Sequence, residues 1–122
     1  MDPRDAPILV VDGDDAGRTV LRRACEAEGI GVVEAATGAA GIDLASAGCF
    51  CAILVGSGLP DLAGVEVCRR VRSGDPVTPI LMIGAPGGPA PAERSSQAAG
   101  ADGLVASPYD LPRLIARLHA YR

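Results

Sequence analysis

The 122-residue sequence has no lysine, no tryptophan and a single histidine, His119. All eleven basic residues are therefore arginine. Chemistry that needs a lysine side chain is therefore excluded, and no compact side-chain ammonium is there to neutralise a phosphoryl group. One histidine close to the last residue suggests no Ser-His-Asp or Cys-His arrangement, so catalysis is not expected. Aromatic rings are confined to Phe50, Tyr109 and Tyr121, which predicts a core of Val, Leu, Ile and Ala. No apolar run is long enough to cross a bilayer, and no signal peptide is recognised. A net charge of −4 with no basic stripe argues against direct binding of nucleic acid, whose affinity comes mainly from phosphate neutralisation. The four cysteines, Cys25, Cys49, Cys51 and Cys68, fit no zinc spacing and read as reduced thiols in a cytoplasmic protein.

What is present is a regular alternation. Ile8 to Val11 is an unbroken apolar run, of the kind that suits a strand buried on both faces, and it ends at Asp12. Asp14 or Asp15 is expected to cap a helix with Gly17, Val20, Leu21, Ala24 and Cys25 on its inner face, ended by Gly29. Ile30 to Ala35 reads as a second strand. Thr37 caps a helix holding Ile42, Leu44 and Ala45, stopped by Gly48. Cys51 to Val55 reads as a third strand, and the loop from Gly56 to Asp61 leads to a helix with Val65, Val67, Cys68 and Val71. A fourth strand spans Pro79 to Ile83. A glycine- and proline-rich loop, a helix near Ala92 to Ala99, a strand from Gly103 to Ala106 and a helix with Leu111, Leu114, Ile115 and Leu118 complete the chain. Five β-then-α units predict one domain over residues 1–122, with its core at about 7–121: a parallel sheet with helices on both faces. Function in such sheets gathers at the carboxyl ends of the strands.

These segments resemble the receiver domains of response regulators. Leu9-Val10-Val11-Asp12 with Arg18 is similar to their first strand and helix. Leu59-Pro60-Asp61 with Gly64 is similar to the loop after their third strand. Pro79 to Ile83 resembles their fourth strand, and Gly100 to Val105 followed by Ser107-Pro108-Tyr109 resembles their fifth strand and its turn. The resemblance implies a five-stranded parallel sheet of order 2-1-3-4-5 in a flavodoxin-like fold.

In that family an aspartate after strand three accepts a phosphoryl group from a histidine kinase. Two acidic residues after strand one help to hold Mg²⁺, while a Thr or Ser after strand four and a Lys after strand five bind the phosphoryl oxygens. Carried over, the first acidic position is Asp12 and the second is Gly13. The acceptor position is Gly56, the Thr/Ser position Gly84 and the Lys position Ser107. A glycine offers no oxygen to phosphorylate. Ser57 alternates to the opposite face of the strand, and Asp61 lies beyond Pro60 in the loop, so neither is expected to replace it. Ser107-Pro108 resembles a cis peptide bond of the family.

Asp12 and Asp14 are weak candidates for a residual cation site, with Asp15 beside them. Helix capping is the simpler reading of Asp14 or Asp15. Mg²⁺ binding is expected to be weak or absent, with no other cofactor. Without a cation, Asp12 is expected to have a raised pKa from burial and like-charged neighbours. The family's switch aromatic on strand five corresponds to Leu104. The interaction face made by helix four, strand five and helix five would include Arg94, Leu104, Ala106, Tyr109, Arg113 and Arg117. The expected function is that of an atypical, phosphorylation-independent receiver binding other signalling proteins: a histidine kinase, an output domain or a second copy of itself. The alternative is a small-ligand sensor of the nucleotide type, using backbone N–H groups at the vacated site.

Overall fold

The computed structural model describes residues 5–56, 58–84, 93–105 and 110–121. Ten elements alternate: β1 (Ile8–Val11), α1 (Asp15–Ala27), β2 (Val32–Ala35), α2 (Gly38–Ala47), β3 (Ala52–Gly56), α3 (Gly64–Gly74), β4 (Ile80–Ile83), α4 (Glu93–Ala98), β5 (Gly103–Val105) and α5 (Leu111–Ala120). The strands form one parallel sheet of order β2-β1-β3-β4-β5. This is the flavodoxin-like arrangement expected from the sequence.

Each strand feeds both faces, because successive side chains point in opposite directions. Ile8, Val10, Leu54, Leu81 and Ile83 pack against Leu21 and Cys25 of α1 and Leu114 and Leu118 of α5. Leu9, Val11, Ile53, Val55, Ile80 and Met82 pack on the other side, against Val67, Cys68 and Val71 of α3 and against Ala99. The largest fully buried side chains are Leu, Ile and Val with Met82, and none of them is aromatic, as the composition requires. Each fully buried Leu, Ile or Val contributes roughly 1.5–3 kcal/mol over leaving it exposed.

Local signals explain the helix ends. Asp14 caps α1, accepting the Gly17 N–H, and Thr37 caps α2, accepting that of Ala40. Gly29, at φ +76°, lets the chain leave α1, where a residue with a Cβ would be strained. Asp110 caps α5 through the Arg113 N–H.

Strand bounds differ from the sequence reading by a residue or two: β3 starts at Ala52 rather than Cys51, and β4 at Ile80 rather than Pro79. β2 starts at Val32 rather than Ile30, because the Ile30 N–H is held by the Cys25 carbonyl at the exit of α1. β3 runs one residue further, so Gly56 lies within the ladder opposite Ile83. β5 is described as far as Val105. Val20, expected on the inner face of α1, is 50% exposed. The stripe that reaches the core is the narrower one through Leu21 and Cys25, with Val20 turned away beside it.

At the amino ends of β4 and β5, Arg72 acts as a clamp. Its guanidinium donates to the carbonyls of Gly100 (3.0 and 2.9 Å), Thr78 (2.8 Å) and Asp75 (3.1 Å), and pairs with Asp102 at 2.8 Å. Asp102 in turn accepts the Ile80 N–H at 2.8 Å.

Candidate functional site

Asp12 follows the last residue of β1 and Gly56 ends β3. The register pairs Val11 with Val55, so the two residues emerge side by side from the centre of the sheet. Asp12 is only 3% exposed. Its Oδ1 accepts the Asp14 N–H at 3.1 Å, while its Oδ2 is buried without a hydrogen-bond partner. A Cβ built on Gly56 would lie 2.9 Å from the Asp12 Cγ, and 3.0 and 3.2 Å from its two oxygens. The Asp12 carboxyl therefore fills the space into which a side chain at position 56 would grow.

Gly13 is constrained in the same way. A Cβ there would stand 2.8 Å from the Gly58 carbonyl oxygen and 3.3 Å from Cδ of Pro60. The loop after β3 thus occupies the direction a second acidic side chain would take.

The neighbouring charges are committed elsewhere. The Asp14 carboxylate is engaged in capping α1. Arg18 pairs with Asp15 and with Glu34, and donates to the backbone carbonyl of Asp12 at 2.6 Å rather than to its carboxylate. Burial pushes the Asp12 carboxyl above the usual carboxylate range. The Asp14 N–H opposes this, the Asp14 charge adds to it, and Arg18 and the Gly13 N–H also oppose it.

Mg²⁺ requires several hard oxygens in near-octahedral array. Gly13 and Gly56 supply no side-chain oxygen, and Asp14 is spent on its helix. Among the described residues no group of three acidic, His or Cys side chains converges. The residues present do not fit the ion that the resemblance implies.

Asp61 was passed over in the sequence reading except as a poor substitute for the acceptor. The fold gives it another place. Its two oxygens accept the N–H groups of Gly38 (2.8 Å) and Ala39 (3.0 Å) at the start of α2. Those two N–H groups hold its carboxyl below the ordinary range. Nothing local could have revealed this, since the partners lie 23 and 22 residues away in sequence.

Gly84 is buried after β4 and donates its N–H to the Val105 carbonyl at 2.9 Å. Ser57, Ala106, Ser107 and Tyr109 lie outside the described residues, as does the Ser107-Pro108 peptide bond. On the expected interaction face, Leu104 is half-buried against the β4 side of the core. Leu104 and Arg117 line a groove of about 360 Å³ together with Glu93, Gln97, Ala101, Asp102 and Gly103. Arg117 lies across Gly103 and its Nε donates to the Tyr121 hydroxyl at 3.1 Å. Arg94 and Arg113 are exposed, but they do not line this groove. Glu93 and Gln97, which do, were not singled out from the sequence.

The five-stranded sheet of order β2-β1-β3-β4-β5, with an acidic residue at the tip of β1, is the architecture of the receiver class of signalling modules. Residues 8–119 match the model of the response regulator receiver domain family, and the chain belongs to that family. It is therefore a receiver domain of two-component signalling, and receiver domains are generally non-enzymatic signalling modules. It is 38% identical over 114 residues to the response regulator MprA of Mycolicibacterium vanbaalenii, and 33% identical over 113 residues to the uncharacterised transcriptional regulatory protein YkoG of Bacillus subtilis. Each alignment takes in 93% of this chain but 48% and 49% of those relatives, so the chain spans about half their length.

Among solved structures, a putative response regulator from Chloroflexus aurantiacus superposes with a TM-score of 0.84 at 27% identity, covering 95% of this chain and 96% of that one. A response regulator from Burkholderia pseudomallei, crystallised with a phosphorylated aspartic acid, a calcium ion and citrate, superposes with a TM-score of 0.82 at 25% identity, over 93% of this chain and 66% of that one.

Proposed function

We propose that this receiver takes no phosphoryl group and acts by contact with other signalling proteins. The observation that carries the reading is the pairing of Gly56 with Asp12. Acyl phosphate formation needs a carboxylate oxygen at the tip of the middle strand, in line with the phosphoryl donor. Residue 56 has no side chain, and its space holds the Asp12 carboxyl. The cation that would offset the added charge also lacks its oxygens, because Gly13 contributes none and Mg²⁺ binding is accordingly weak or absent.

Contact with partners is assigned to the groove between α4, β5 and α5. Its polar rim carries both signs of charge, Glu93 and Asp102 against Arg117, around the apolar Leu104. A histidine kinase, an output domain or a second copy of the chain are the classes of partner such a surface serves. No helix among the described residues is long and apolar enough to cross a membrane, and we assign the domain to the cytoplasm, where such partners reside.

The test is incubation with acetyl phosphate and Mg²⁺ followed by intact-mass measurement. The expected result is an unmodified chain. A stoichiometric adduct of one phosphoryl group rejects the proposal. The same geometry disfavours a nucleotide-type ligand at the vacated position, since the Asp12 carboxyl already fills the space at residue 56.

A further inference from the structure

We propose that the groove between α2 and α3 seats a second copy of this chain, each copy placing its Val77 in the groove of the other about a two-fold axis. The surface is separate from the groove between α4, β5 and α5, and the proposal does not depend on the reading of Gly56.

α2 is not composed like an ordinary surface helix, which turns charged residues outward. From Gly38 to Ala47 its polar side chains are Asp43 and Ser46. Ile42, Leu44 and Ala45 pack against the core yet stay only half-buried. Ile42 and Ala45, with Val71 of α3, line a groove of about 310 Å³. Gly74 also lines it, and a Cβ added there would meet nothing within 4 Å.

An apolar projection borders this groove. Val77 is 82% exposed, against 50% for Val20, the other large apolar side chain exposed among the described residues. The turn that carries Val77 is fixed. Asp75, which lines the groove, accepts the N–H groups of Val77 (2.9 Å) and Thr78 (3.0 Å) and the Thr78 hydroxyl through its carboxylate. Arg72 donates to the Asp75 and Thr78 carbonyls across the same turn. A projection held in this way loses little freedom when it is inserted.

The occupant follows from the pairing of these features. Val77 comes two residues after a residue that lines the groove, so hole and projection belong to one patch. A two-fold axis through that patch makes projection meet hole twice. The charges agree with this. Arg70 and Asp75 both line the groove. The Arg70 side chain is 54% exposed and is bonded through Nε to Glu66 at 3.0 Å, which leaves its terminal N–H groups to a partner. The Thr78 hydroxyl, with the Thr78 and Val77 N–H groups, holds the Asp75 carboxyl below the ordinary range, so its charge is present at neutral pH. The two-fold sets Arg70 of one copy opposite Asp75 of the other, twice over. The rim is thus complementary to itself, whereas a partner rim of one sign would leave one of these charges unmatched.

The patch is small, so the association is weak, with a dissociation constant of roughly 0.1–1 mM. Sedimentation equilibrium is the test, on the natural chain, Val77→Gln, Gly74→Gln and Val20→Gln. Val77→Gln removes the projection, Gly74→Gln fills the groove, and Val20→Gln makes the same chemical change on α1. The natural chain and Val20→Gln are expected to associate alike, and the other two at least about tenfold more weakly. A natural chain that stays monomeric to about 1 mM overturns the proposal. So does association of Val77→Gln equal to that of the natural chain, or an equal loss in Val20→Gln. Should the substitutions disturb the turn, concentration-dependent amide shifts of the natural chain decide. They are expected at Ile42, Ala45, Gly74 and Val77, and shifts confined to Leu104 and Arg117 overturn the proposal. The phosphorylation reading is scored separately, with acetyl phosphate.

Discussion

The Asp12 carboxyl lies against the α-carbon face of Gly56, 2.9 Å from the point where a side chain there would begin. The contact places a charged group and an absent side chain in one cleft, and each makes a measurable difference to the chain.

Gly56→Ala is expected to destabilise the fold by about 1–3 kcal/mol, as overpacking of a close contact does, because Asp12 must shift to admit the methyl. Denaturant melts at pH 7 measure this directly. A neutral effect would mean that Asp12 moves freely and the cleft is looser than the distances indicate.

Asp12 offers a pH test. Its folded-state pKa is raised chiefly by burial. A carboxyl of this kind binds its proton more tightly in the folded than in the unfolded chain, so folding loses stability as pH rises from the ordinary carboxylate value through the raised one. Below that window both states are protonated and the penalty disappears. Asp12→Asn is therefore expected to raise the melting temperature at pH 7, with the gain shrinking as the pH approaches about 3.9. Titration of the Asp12 side-chain carbon by NMR checks the cause. A normal or lowered value would count against it.

Asp61 has the opposite sign. Its pKa is lowered by the Ala39 and Gly38 N–H groups, so its contribution is present above the ordinary carboxylate value and is lost as pH falls through the lowered one. Asp61→Asn should lower the melting temperature at pH 7. The two proteins should converge in strong acid, and a difference that persists there would point to shape rather than charge.

Arg72→Ala is expected to cost about 2–3 kcal/mol, because it leaves several half-buried carbonyls without a charged donor. Arg72→Lys should recover little, since an ammonium cannot span the Gly100 and Thr78 carbonyls as the guanidinium fork does. Urea denaturation of the three proteins settles the order.

Alkylation should separate the thiols. Cys49 is exposed, whereas Cys25, Cys51 and Cys68 are buried, and burial pushes the Cys25 thiol up to about 11. Iodoacetamide at about pH 8 should modify Cys49 first in the native chain, with the others reacting on unfolding. Peptide mapping reads the result.

Much of this could be read before any coordinates, and the reason lies in the range of the interactions. The strand runs, the Asp14 and Thr37 caps and Gly29 are set by neighbours within one helical turn, and they are visible as spacing. The order of the strands came from resemblance across five segments together. The fastening of Asp61 to α2 is not legible in the sequence, because only the folded chain brings its partners near. Val20 was placed inward because apolar spacing alone does not say how wide the buried stripe is. Glu93 and Gln97 were missed for a related reason: polar residues on a short helix look like any solvated face until β5 and α5 close a groove beside them.

A core built without tryptophan has a further consequence. With no indole anywhere in the chain, emission excited at the red edge of protein absorption is dark. One tryptophan introduced on the rim beside Leu104 would be the sole emitter, so the arrival of a binding partner could be followed as a colour shift from a single known address.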